Sequence, residues 1–119
     1  MRYLCLIYDA EANLTAMSKA EWDGMMAEYG AFTAEIKASG HYVSGDALKP
    51  VASATTVRVR GGKVSTTDGP FAETKEQLGG YYLIEAKDLD EAIAIGAKIP
   101  AARHGSVEVR PIMAMNMSS

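Results

Sequence analysis

The sequence predicts an α+β domain on the ferredoxin-like βαββαβ plan. A β-hairpin is inserted, and two helices lie on one face of an antiparallel sheet. Three observations carry this. Four β-prone runs and two segments of helical periodicity follow one another in the order strand, helix, strand, strand, helix, strand. Between the second and third of those strands, two further β-prone runs flank Gly61-Gly62, the residue pair that suits a two-residue hairpin. The plan puts residues 2–8 and 80–86 at the sheet centre, and both runs are apolar on both faces. That last feature extends the prediction to two chains, as argued below.

Residues 2–8 combine β-branched, aromatic and Leu side chains without a breaker, which is a strand. Residues 9–15 read as a polar loop. Ser18 opens a helix, and Glu21 three positions on completes a capping box. Trp22, Met25, Tyr29, Phe32 and Ile36 then recur at steps of three and four, one helical face, and Gly40 ends the helix where a left-handed residue is wanted. Gly24 and Gly30 weaken it by up to ~1 kcal/mol each relative to Ala, which a close approach by another backbone would explain. Residues 41–48 form a short strand broken by Lys49-Pro50, and residues 55–60 and 63–67 are the hairpin arms. Asp68-Gly69-Pro70-Phe71 is a turn, and Gly79-Gly80 lead into the strand 81–86. Asp88 and Glu91 cap a second helix with Leu89, Ala92, Ile93, Gly96 and Ile99 on one face, closed by Pro100. Residues 107–112 are the last strand, with Met113, Met115 and Met117 trailing after it. No linker, low-complexity tract or repeat interrupts this order, so residues 1–119 read as a single domain.

Composition narrows the function. With 12 basic and 15 acidic residues the formal charge is −3, and no basic face appears, which argues against nucleic acid. A chain 48% hydrophobic and 23% charged has the composition of a folded protein. Its apolar runs fall far short of the ~20 residues that span a bilayer, so no membrane partner is expected. Cys5 is the only cysteine, which leaves no disulfide framework and no zinc spacing, and it reads as packing. Asp9 arrives too early for a signal peptide, so the cytoplasm is the expected location. The sequons at Asn13-Leu14-Thr15 and Asn116-Met117-Ser118 are then chance matches.

A sheet covered by helices on one face only should alternate apolar and polar residues. Here Tyr3, Cys5 and Ile7 point one way and Leu4, Leu6 and Tyr8 the other, and Tyr81 and Leu83 oppose Tyr82, Ile84 and Ala86. A second copy is the simplest cover, giving a homodimer whose sheets pack face to face as a dimeric α/β barrel. An open face holding a ligand is the alternative, and the two agree if the cavity lies between chains.

No dinucleotide, Walker, zinc-protease or nucleophile-elbow signature is present. His41 and His104 are the only histidines and neither has metal spacing, so no metal or cofactor is expected. His104, between Arg103 and Gly105, reads as solvated loop, whereas His41 is a weak acid–base candidate. The dense feature is residues 68–76, with three carboxylates and a lysine at a strand end. Asp68 is the candidate base there, with Glu73 or Glu76 as a second carboxylate. Lys75 or Arg110 would hold a substrate anion, and Tyr8 and Tyr81 would offer hydroxyls. The plainer reading has Asp68 bonding its own turn, Lys75 on a solvated surface, Phe71 anchoring the loop and Arg110 paired with Glu108.

Asp68-Gly69-Pro70-Phe71-Ala72-Glu73-Thr74-Lys75-Glu76, Gly79-Gly80-Tyr81-Tyr82, Asp88-Leu89-Asp90-Glu91-Ala92 and Val107-Glu108-Val109-Arg110-Pro111-Ile112 resemble the DGPF-domain branch of the YCII-related proteins. The resemblance covers nearly the whole chain. It implies a ferredoxin-like fold assembled as a dimeric α/β barrel. Many members are encoded beside extracytoplasmic-function sigma factors. Some relatives look like enzymes, including a dehydrochlorinase of a chlorinated muconolactone, with a proposed His–Asp active pair. Asp68 is the natural counterpart of that aspartate, and His41 lies outside the recognisable motif. The function expected is binding of a small anionic or lactone-like molecule near a dimer interface, with metal-free proton abstraction or elimination by Asp68. The alternative is a non-catalytic sensing or regulatory module that contacts a sigma factor.

Overall fold

Side chains along residues 3–9 alternate between buried and half-buried, which marks a strand with a core face and a second, partly covered face. The computed structural model describes residues 1–114. Met115, Met117 and the sequon at Asn116 lie outside them. The elements are β1 (Arg2–Asp9), α1 (Glu11–Thr15), α2 (Lys19–Ala38), β2 (Tyr42–Ala47), β3 (Thr55–Arg60), β4 (Lys63–Asp68), β5 (Gln77–Glu85), α3 (Leu89–Gly96) and β6 (Ser106–Pro111). Short 3-10 turns at Val51–Ser53 and Pro100–Arg103 complete the order.

The main sheet is antiparallel in the order β2-β5-β1-β6, so the two doubly apolar strands are central, as expected. Cys5 stands opposite Tyr82 and Val109, and Leu4 opposite Leu83 and Arg110. One face packs Tyr3, Cys5, Ile7 and Ile84 against Phe32 and Ile36 of α2 and Ala92 and Ile95 of α3, with Ile99 just beyond α3. Leu4, Leu6, Tyr81 and Leu83 on the other face remain half-buried. The chain is a slab of 50 × 48 × 18 Å with a radius of gyration of 16.6 Å, against about 13.5 Å for a compact domain of this length.

Both capping signals are realised. Ser18 Oγ accepts from the Glu21 N–H at 3.1 Å while the Glu21 carboxylate accepts from the Ser18 N–H, and the Asp88 carboxylate accepts from the Glu91 N–H at 2.9 Å. Gly61 and Gly62, at φ 56° and 74°, close the β3–β4 hairpin with the positive dihedrals its tight turn needs.

Several expectations change. The hairpin forms its own two-stranded sheet and stands off the main one. The polar loop at 9–15 contains α1. Glu11 holds it there by donating its N–H to Gln77 Oε1 at 2.8 Å and accepting the Val51 N–H at 2.9 Å, partners 66 and 40 residues away. The α3 face is rotated: Ala92, Ile95 and Gly96 are buried, whereas Leu89 and Ile93 are exposed. Gly96 packs against β6, where a Cβ would lie 3.1 Å from Val109 Cγ2. Gly24 and Gly30 meet no close backbone, since a Cβ at either would touch nothing within 4 Å. No helix among the described residues is long and apolar enough to cross a membrane.

Candidate functional site

Only the C-terminal half of α2 is buried, through Phe32 and Ile36. Its N-terminal half carries Trp22 and Met26 with about two-fifths of their surfaces open, at 43% and 42%. A helix is stiff, so seating one end on the sheet leaves the other end standing clear of it. The result is a cleft of about 480 Å³ between α1, the first half of α2 and the sheet end where β1 finishes and β5 begins. Leu14, Trp22, Met25 and Met26 form its helical wall, and Ile7, Asp9, Gln77 and Gly80 lie along the strands.

Three tyrosines make a further wall. Tyr82 stands edge-on to Phe32 at 5.1 Å between ring centroids and to Tyr42 at 6.3 Å, geometry that the ring quadrupoles favour. Thr33 donates its hydroxyl to the Tyr29 carbonyl at 2.8 Å, so the Tyr82 hydroxyl 2.7 Å away donates to Thr33. Burial pushes the Tyr29 phenol up to about 12, partly offset by a hydrogen bond to the Ala101 backbone. That ring is a neutral wall at ordinary pH. On the other sheet face the Tyr81 hydroxyl donates to Asp46 Oδ2 at 2.7 Å, and losing that bond on ionisation raises the phenol above its usual range.

Asp9 is the one buried charged side chain among the described residues. Its Oδ1 accepts the Ala10 N–H at 3.0 Å, and His104 Nδ1 lies 3.2 Å from its Oδ2. Gly105 makes this contact feasible. A Cβ there would sit 2.2 Å from the Tyr8 carbonyl oxygen, so only glycine lets the loop before β6 press against the end of β1.

The carboxylates singled out in the sequence lie elsewhere. Asp68 is exposed at the end of β4. Its turn is pinned by the Gly69 N–H to the Ala54 carbonyl and by Thr56 Oγ1 to the Gly69 carbonyl, without the Asp68 carboxylate. Glu73 and Lys75 are exposed, and Glu76 accepts from Ser106 Oγ at 2.7 Å. Phe71 is 82% exposed and anchors nothing. Arg110 Nε donates to Glu108 at 2.6 Å, the surface-pair reading. His41 is held away from the cleft, with Nδ1 2.6 Å from Ser39 Oγ and Nε2 3.2 Å from Glu91. The Lys87 N–H and then His41 hold the Glu91 carboxyl below its usual range. Of the eight sequence candidates, Tyr81 alone lines the cleft; Tyr8 is half-buried outside it.

Asp9 and His104 escaped the sequence reading because each looked like loop. One signal pointed to them. Asp9 ends one strand and His104 precedes its antiparallel neighbour, so the two must meet at the same sheet edge. Among the described residues, no three His, Cys, Asp or Glu side chains converge as metal ligands.

A family model described as YCII-related domain matches residues 1–116. An uncharacterised protein of Rhizobium meliloti (strain 1021) is 39% identical over 114 residues, covering 94% of this chain and 92% of the relative.

Proposed function

The chain belongs to the YCII-related family, and on that premise we propose that it binds a small organic molecule in the cleft beneath α2. The observation that carries this reading is a space of about 480 Å³ with aromatic and methionine walls and the buried Asp9 on its lining. A concave, mainly apolar site with a few fixed polar groups is the usual form of a small-molecule pocket. If the bound molecule is turned over, Asp9 is the group placed to take its proton, with His104 orienting the carboxylate. Asp68, the base expected from the sequence, does not line this cleft. The anion expected with it finds no support either, because Lys75 and Arg110 lie off the cleft and no Lys, Arg or His lines it.

The same proposal includes a homodimer. Leu4, Leu6 and Leu83 form an apolar stripe across the centre of the second sheet face, and a face-to-face copy would bury it as a dimeric barrel. Sedimentation showing a dimer at micromolar concentration, converted to monomer by Leu6→Glu, is the expected result. A monomeric wild type removes the dimer.

Trp22 is the only tryptophan, so its fluorescence reports the cleft. Fragment hits from a thermal-shift screen should quench or shift it, and Met25→Arg should abolish their binding. Hits that leave Trp22 unchanged and survive Met25→Arg would overturn the cleft. Asp9→Asn should stop turnover of a bound compound while sparing its binding. If Asp68→Asn does so instead, the base is Asp68.

A further inference from the structure

We propose that the β3–β4 arm is the clasp of the homodimer, each copy laying the valine face of its arm on the body of the other; this rests on the dimer proposed above. The arm is amphipathic by register. Val57 with Thr66 and Val59 with Val64 share one face, whereas Arg58, Arg60 and Lys63 share the opposite one. Such alternation belongs to a strand pair covered on one side and wet on the other. Yet all three valines are more than half exposed, and the arm stands off the main sheet. A slab 18 Å thick holds one sheet and one helical layer, so the arm extends in its plane instead of folding over either face. The pattern asks for cover from another molecule.

Charge says which molecule. Residues 55–67 carry +3 and no acid, and the chain carries −3 in all, which leaves −6 on the body. None of Arg58, Arg60 and Lys63 is ion-paired among the described residues. Nucleic acid or an anionic lipid surface would attract these cations but repel the body behind them. A second copy offers the opposite charge together with an uncovered apolar surface, and such complementarity steers and registers association. The dimer also needs the area. Leu4, Leu6 and Leu83 form a stripe two strands wide, roughly 10 Å by 20 Å, flanked by Asp46, Glu108 and Arg110. A standard interface buries about 800 Å² on each partner, which this stripe does not reach without the arms. A two-fold axis doubles the gain, because each copy that clasps is clasped in return.

The test measures dimer dissociation by sedimentation. The triple variant Val57→Thr, Val59→Thr, Val64→Thr keeps the size and branching of the arm but removes its apolar face. It should raise the dimer Kd at least ~10-fold. The charge variant Arg58→Gln, Arg60→Gln, Lys63→Gln leaves the valines in place. Salt should weaken the wild-type dimer and no longer weaken this one. A benzophenone attached at Thr66→Cys, with Cys5 shielded by burial, should cross-link the arm to a second chain. A dimer whose Kd neither variant moves, with Thr66→Cys linked to no second chain, overturns the clasp while the dimer stands. Binding of phosphatidylglycerol vesicles that the charge variant loses, with its dimer unchanged, overturns it in favour of a lipid surface. A monomeric wild type removes the dimer and the clasp together.

Discussion

The antiparallel pair β1–β5 buries Tyr3, Cys5 and Ile84, whereas β3–β4 leaves Val57, Val59 and Val64 61%, 55% and 70% exposed. Both pairs have ladder hydrogen bonds and β-branched side chains. They differ in what lies over them. Residues of β1 and β5 touch α2 and α3 from one side, while the hairpin puts Val59 opposite Val64 with Val57 two places along, an apolar face left exposed among the described residues. Strand propensity and a good turn therefore make a hairpin, but only burial joins it to a core. A lone two-stranded hairpin is marginal in water, so this arm is the part of the molecule most open to a partner's influence.

The largest contrast should be chemical. Burial pushes the Cys5 thiol up to about 11, so at pH 8 its thiolate is ~200-fold scarcer than that of an exposed cysteine. A disulfide reagent should leave native Cys5 unlabelled until the protein unfolds, while a cysteine introduced by Ser65→Cys in β4 reacts at once. Rapid labelling of native Cys5 would mean the central strands open readily.

Next comes side-chain truncation. Ile84→Ala should cost ~2–5 kcal/mol in denaturant unfolding, since Ile84 is fully buried. Val59→Ala should stay within ~0.5 kcal/mol. If Val59→Ala costs as much as a core change, and does so only at concentrations where a dimer forms, the arm packs on the partner copy. Gly105→Ala should cost ~1–3 kcal/mol by forcing the loop off the end of β1. It should also slow turnover of any bound compound, as Asp9 loses His104.

The smallest effect concerns acid. Glu91 titrates lower in the folded chain than its ordinary value of 4.5, so its contribution is present above that value and is lost as pH falls through the folded pKa. Melting temperatures from pH 7 to pH 3 should fall less for Glu91→Gln than for wild type. An equal fall would mean the contact to Lys87 and His41 adds nothing to stability.

Features set within a few residues were legible in the sequence. Ser18 with Glu21, Asp88 with Glu91 and Gly61-Gly62 act on their own neighbours, and each appears where expected. The two-faced character of residues 2–8 also survives. The rotation of α3 was not legible, because Leu89 and Ile93 are as apolar as Ile95, and only the packing of the helix on the sheet chooses between faces. Nor was the candidate cleft: residues 68–76 are dense in carboxylates, and the Asp9–His104 contact joins positions 95 residues apart.

By itself, then, the sequence determined the order of elements, their caps and the two central strands, since short-range periodicity and turn chemistry act before the chain is packed. Tertiary structure alone decided where α2 leaves the sheet, and so where the cleft opens. A stiff helix fixed at Phe32 and Ile36 puts Trp22 and Met26 on the same cleft as Asp9, a juxtaposition that no local pattern encodes.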